Sequence, residues 1–287
     1  MTNDRPRRRD KQRLPFPYDQ DLTPILRGLN RRTPIGRRRL ANDPVTAAYL
    51  AAAVRLIQRH LGPRPSVAFP ALAFLSQRAV TAEVGSNPPP FHRRGSLPTM
   101  RDRWKHQSDF IADVLRFGLW EGHYPGAHQD RITDATQEIV TGADPAAGAH
   151  RLCYWALTEL LATPMFRLSL VAAAAAEGDP AIRAATTERH RQNSVLWEQL
   201  YQQFLAARGL KLRPGITLDD CAILLGAISD GLALRALADH DAPILDARRQ
   251  RSLLGTAALA LIQSCTVPAG IPADTLEDTV TRTMKGS

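Results

Sequence analysis

The sequence predicts an all-α protein with a three-helix N-terminal part and a larger helical C-terminal part, and three observations carry that prediction. Apolar residues recur at three- and four-residue intervals over most of the stretch from 43 to 266, capping residues with prolines or glycines bracket these segments, and none shows the two-residue alternation of a half-buried strand. The 287 residues, 44% hydrophobic and 23% charged, hold enough apolar surface for one large core or two smaller ones.

Residues 1–41 combine the runs Arg7, Arg8, Arg9 and Arg37, Arg38, Arg39 with scattered prolines and little apolar periodicity, which predicts an extended or disordered basic arm. Asp43 as N-cap and Pro44 at the first helical position open a helix through Ala47, Leu50, Val54, Ile57 and Leu61 to Gly62. A second cap at Ser66 opens an apolar segment expected to be helical to about Val84, disturbed at Pro70. Residues 85–95 cannot be helix, because Pro88, Pro89 and Pro90 favour polyproline geometry. Ser96 then caps a short helix with Pro98 in its first turn, and a longer one runs from about Ser108 to Trp120. Further helices are expected near 128–141, 146–162, 164–177, 180–209, 217–239 and 245–266, separated by Gly178, Asp179 and Pro180, by Gly209, and by Asp241, Ala242 and Pro243. Pro268, Gly270 and Pro272 leave a weak terminal helix or a frayed end. The resulting division is a basic arm over 1–41, a first helical domain over 42–122, a second over 123–267 and a tail over 268–287.

The net charge of +9 is unevenly placed: residues 1–110 carry 21 Lys and Arg against 8 Asp and Glu, whereas residues 111–287 carry 16 against 20. A basic segment on a mildly acidic body is the footprint of a polyanion binder, since each neutralised phosphate releases condensed counterions; a solubilising basic tail has the same composition. Cys153, Cys221 and Cys265 are odd in number, widely spaced and set in apolar helical patterns, where a thiol behaves as a small core hydrophobe. With a basic N-terminus reading RPRRRDKQRLPFP and no run of about 18 apolar residues to span a bilayer, this predicts a cytoplasmic protein off the membrane.

A helix-turn-helix unit needs one helix across the DNA backbone and a second whose N-terminal residues reach base edges in the major groove, and residues 66–104 can supply both. In the second, Arg101, Arg103 and Lys105 cluster with Thr99 and His106, while Met100, Trp104 and Phe110 would pin the short helix to the core. Arginine bonds guanine bidentately, and threonine contacts a thymine methyl or a phosphate. The expected DNA-facing residues are Ser66, Ser96, Thr99, Arg101, Arg103, Lys105 and His106, with Arg37, Arg38 and Arg39 of the arm on phosphates or a minor groove.

The segment from Ser96 to Trp104, with Phe110 six residues later, resembles the recognition helix of the tetracycline-repressor (TetR/AcrR) family of transcription regulators. AAYLAAAVRLIQRHLG is similar to the first helix of that family, and MFRLSLVAAAAAEGDPAIRAA, RGLKLRPGITLDD and DGLALRALADHDAPILD are similar to its regulatory domain. The sequence departs from the pattern in Arg101, Asp102 and Arg103 before the closing aromatic, in Trp104 as that aromatic, and in an insertion at about 85–94 that lengthens a turn tight in the family. The resemblance implies a ligand-responsive repressor that binds a palindromic operator in double-stranded DNA as a homodimer, paired through helices about 217–239 and 245–266. Those segments are apolar over much of their circumference and carry Gly226, Ala227, Gly231, Gly255, Ala257 and Ala258, which permit close helix approach and so support pairing; the buried core of a monomer is the alternative. The resemblance also implies a small-molecule effector, for which Trp120, Tyr154, Trp155, Met165, Phe166, Trp197 and Tyr201 are the pocket candidates, although aromatics at helical spacing also make ordinary core.

Enzyme chemistry finds no support in residue types: His-Glu-x-x-His, Gly-x-Ser-x-Gly and a phosphate-cradling loop with its Lys are absent. His123 and His128 beside Asp130 suit solvated loop residues better than metal ligands, and Asp179, Glu188 and His190 lack acid–base spacing. No catalytic residue, metal or cofactor is expected. The other reading of the chain is a helical interaction module whose basic tail binds nucleic acid or an anionic surface nonspecifically.

Overall fold

Asp43 starts the helix on which the N-terminal unit is built: its carboxylate accepts the Val45 N–H at 2.7 Å, and Pro44 stands at the first helical position. The computed structural model describes residues 13–62, 73–120 and 126–286, apart from the side chains of 126–133, 175, 192, 193 and 196. Among them the fold is all-α, with strand confined to four short segments. The chain divides into two compact units: unit 1 is residues 1–123 with 168–186, and unit 2 is residues 124–167 with 187–287.

Unit 1 contains α1 (Pro34–Ala41), α2 (Pro44–Leu61), α3 (Gln77–Glu83), α4 (Leu97–Arg103) and α5 (Gln107–Gly118). The buried face of α2 runs through Ala48, Tyr49, Ala52 and Ile57, each without exposed surface. Phe74, Leu75, Val80, Val84, Phe110, Val114 and Phe117 complete the buried core of this region. Arg55 and Arg59 bind Glu83 at 3.2 and 3.0 Å, tying α2 to the end of α3, and together they hold its carboxyl below the usual range against the opposing effect of burial.

Two sequence expectations change here. Ser66 lies outside the described residues; in the described part, α3 begins later than the expected helix, after a 3-10 turn over Ala73–Leu75, with Ser76 accepting the Ala79 N–H at 3.3 Å. Residues 13–41 are not an unstructured arm: Leu22, Leu26 and Leu29 are buried, Asn42 accepts the Leu22 N–H at 2.9 Å, and the Asp113 carboxylate accepts the N–H groups of Arg27 and Gly28 at 2.8 and 2.9 Å. The segment passes so close to α5 that a Cβ on Gly28 would stand 2.7 Å from the Asp109 carbonyl oxygen.

Unit 2 contains α6 (Gly126–Thr141), α7 (Pro145–Ala162), α10 (Leu218–Ala238), α11 (Leu253–Cys265) and α12 (Leu276–Met284). α8 (Pro164–Ala175) and α9 (Pro180–Arg208) contribute residues to both units. Ile139, Leu152, Phe204 and Leu205 centre the core of unit 2, with Trp197, Leu259 and Ile262 packed against it. The Arg208 guanidinium donates to the carbonyls of Ile139 and Gly142 at 2.9 and 2.7 Å, satisfying acceptors at the α6 C-terminus. The helix expected over 245–266 begins only at Leu253, because Ser252 caps it and the preceding residues form a hairpin of β2 (Leu245–Asp246) with β3 (Arg251–Ser252), turned at Gln250 with φ of 49°. β1 (Leu210–Leu212) pairs antiparallel with β4 (Thr266–Pro268). These two- and three-residue strands are too short to show alternation.

α10 also corrects the expectation that no segment could span a bilayer. At 21 residues it is long and apolar enough to cross a membrane, and 22% of its most apolar window is buried. An uninterrupted apolar run is not needed for this, since α10 carries Asp219 and Asp220 in its first turn and Asp230 and Arg235 further along and still has the required length and composition.

Candidate nucleic-acid interface

α4 is held at both ends. Ser96 is extended, and its Oγ accepts the Thr99 N–H at 3.2 Å; the Tyr49 hydroxyl donates to the Ser96 carbonyl at 2.9 Å and accepts the Ser96 N–H at 3.0 Å. At the other end Trp104 is fully buried, its ring 5.0 Å from Phe110 and 6.4 Å from Tyr49, both edge-on. Its indole N–H donates to Asp113 at 2.9 Å. Met100 is buried beside it, so the expected pinning residues Met100, Trp104 and Phe110 all face the core.

Asp113 is the residue that sequence reading missed. Its fully buried carboxylate receives Trp104, the backbone of Arg27 and Gly28, and Arg116 at 3.0 Å, joining the N-terminal segment, the end of α4 and α5 at one point. Burial raises its pKa, while these donors and the Arg116 charge oppose the rise. An acid at a position that should be apolar on α5 was the available signal, since a buried charge must find partners.

The expected DNA-facing side chains do not all face outward. Arg103 points into unit 1, 6% exposed: its Nε donates to the buried Thr46 hydroxyl at 3.0 Å, and its other nitrogens reach the Thr99 carbonyl at 3.0 Å and Asp43 at 3.1 Å. Arg103 is therefore an internal anchor and is removed from the base-reading set. Thr99 is half-buried, its hydroxyl 2.7 Å from that of Ser96. Arg101, Lys105 and His106 are exposed, and no ion pair engages Arg101 or Lys105 among the described residues. Asp102, also exposed, is neutralised by Arg31 at 2.6 Å, and the Asn30 N–H donates to the Arg103 carbonyl at 2.7 Å. These contacts place the basic N-terminal segment against the C-terminal end of α4. Of the three arm arginines, Arg38 and Arg39 are exposed on α1, and Arg37 is half-buried.

The expected effector residues divide between the units. Trp120 belongs to unit 1 and the other six to unit 2. Met165, Phe166 and Tyr201 are buried, Tyr154 and Trp155 are half-buried with rings 5.5 Å apart, and Trp197 packs on the unit 2 core. The Tyr201 hydroxyl is buried without a hydrogen-bond partner among the described residues, and burial raises its pKa. A cleft of 620 Å³ lined by Tyr18, Asp21, Arg38 and Asn42 among others involves none of these seven. The three cysteines are free and buried, and burial pushes Cys153 and Cys221 up to about 12, as inert core thiols require. Among the described residues no group of three or more His, Cys, Asp or Glu could hold a metal; His123 and the side chains of His128 and Asp130 lie outside them. Comparison with protein-family models, curated proteins and solved structures finds no match.

Proposed function

We propose that the protein is a sequence-specific double-stranded-DNA-binding transcription regulator of the tetracycline-repressor type, with α4 as its base-reading helix. One observation carries this reading: α4 is a short capped helix locked on its inner side by Met100, Arg103 and Trp104, with Arg101 on its exposed side and Lys105 exposed just past its C-terminal end, both without an ion pair among the described residues. A rigid inner face and a cationic outer face are what entry into a major groove requires, because base readout depends on side chains held in fixed register. The surrounding charge supports it, with residues 13–120 carrying 17 basic against 7 acidic side chains, so counterion release favours a polyanion.

The protein acts as a homodimer paired through α10 and α11, and a small molecule bound in unit 2 controls it. Support for pairing lies in Ile223, Leu224, Leu234 and Leu253, large apolar side chains left exposed on these two helices. Repeated selection of genomic fragments with the purified protein tests the reading. Recovery of one palindromic sequence, bound in preference to competitor DNA at physiological salt, is the expected result. Loss of all preference there would instead leave a nonspecific electrostatic binder.

A further inference from the structure

The connection between α3 and α4 is long, and it is built rather than slack. Asn87 is fully buried, and its Nδ2 donates to the Ala48 carbonyl of α2 at 3.2 Å and to the His92 carbonyl at 2.7 Å, which anchors the loop and closes it on itself. Arg93 Nε donates to the Asn87 carbonyl at 2.7 Å, and the Phe91 ring stands edge-on 4.8 Å from Tyr18. Pro89 and Pro90 sit in a turn closed by the Phe91 N–H on the Pro88 carbonyl at 3.0 Å, in place of the expected polyproline stretch. At the far end, a Cβ on Gly95 would meet Tyr49 at 3.1 Å, so the backbone lies against the same tyrosine that holds Ser96. His92, Arg93 and Arg94 are exposed on this anchored frame, and Arg94 has no hydrogen-bond or ion-pair partner among the described residues.

We infer that the loop over 87–95 is a second DNA-contacting element, in which Arg94 binds a backbone phosphate beside the bases that α4 faces. The inference rests on the proposed DNA-facing role of α4. Arg94 lies two residues before the α4 cap, and the loop and the helix share Tyr49 as their anchor, so their positions are coupled. A guanidinium on a fixed backbone loses little freedom on pairing, and a phosphate contact fixes register without carrying sequence information. Asn87 is the positioning residue that holds the loop in place.

The test uses the full chain, a duplex selected for tight binding and a scrambled duplex, with dissociation constants at 50 and 200 mM salt. Each phosphate contact adds about 0.9 to the slope of log affinity against log salt, so across this fourfold rise Arg94→Ala should lose about 3.5-fold less affinity than the wild type. Arg94→Ala should also weaken both duplexes alike at 50 mM, Arg94→Lys should keep the wild-type slope, and Arg101→Ala should reduce the preference between duplexes. Asn87→Ala should weaken both duplexes without a change of charge; if it lowers the helix content, the two Arg94 variants decide. A wild-type slope and affinity in Arg94→Ala, with Arg101→Ala still losing preference, overturns the loop contact and leaves α4 standing. A wild type that does not distinguish the duplexes removes both.

Discussion

Replacing Asp113 by alanine should uncouple the N-terminal segment from α4 and α5 together. In the folded protein its carboxylate accepts the N–H groups of Arg27, Gly28 and the Trp104 indole at 2.8, 2.9 and 2.9 Å, and pairs with Arg116 at 3.0 Å, while exposing no surface. Alanine leaves all of these donors without that acceptor. An orphaned buried donor costs about 1–3 kcal/mol and loss of one member of a buried ion pair about 3–5 kcal/mol. These losses share one site and do not add, and the half-exposed loop around Arg27 can relax towards water, so the expected destabilisation is about 3–5 kcal/mol. With a urea dependence of about 2 kcal/mol per molar, the unfolding midpoint of unit 1 should fall by about 1.5–2.5 M. Tryptophan fluorescence, to which Trp104 and Trp120 of unit 1 contribute, follows the transition, and hydrogen exchange at Arg27 and Gly28, whose N–H groups Asp113 binds in the folded protein, should be faster in the variant than in the wild type. Asp113→Asn should lose less, because one oxygen remains for the backbone donors and only its amide opposes the indole N–H. Unchanged exchange at both amides with an unchanged midpoint would refute Asp113 as the junction.

Three further outcomes follow from the same geometry. Arg103→Ala should destabilise unit 1 by about 2–4 kcal/mol, because its guanidinium bonds Thr46, Thr99 and Asp43 in the interior, whereas exposed Arg101→Ala should leave stability within about 0.5 kcal/mol and weaken specific DNA binding by about 1–3 kcal/mol. Urea unfolding and duplex titration of both variants check this, and equal stability losses would contradict it. Hydrogen bonds from Thr23 and Asn42 lower the Asp21 carboxyl from 3.8 to about 2, so the stability this network contributes is complete above pH 3.8 and is lost as pH falls towards 2. A carboxyl titration by NMR should show Asp21 moving back towards 3.8 in Asn42→Ala. Leu234→Glu places a charge among the exposed apolar side chains of α10 and should convert the proposed dimer to monomers in sedimentation velocity; a dimer unchanged by it would locate the interface elsewhere.

Local signals were sufficient wherever one segment decides its own conformation. Asp43 with Pro44, Ser96 with Pro98, and the proline-bounded openings of α7, α8 and α9 mark helix starts that the structure places within a residue or so, since a cap acts on N–H groups two or three positions away. The inward set Met100, Trp104 and Phe110 was legible for the same reason, as helical spacing separates apolar from polar faces. Leu22, Leu26 and Leu29 carried helical spacing too, but prolines and arginines around them hid a segment whose order comes from Asn42 and Asp113, 20 and 85–86 residues away. Arg101 and Arg103 are alike in sequence, yet one is exposed and the other buried. Arg103 turns inward because Asp43 and Thr46, more than fifty residues earlier, meet it there with a carboxylate and a hydroxyl. Which charges a surface presents depends on the partners that distant segments bring to each side chain, and for Asp113 and Arg103 only the tertiary structure supplied those partners.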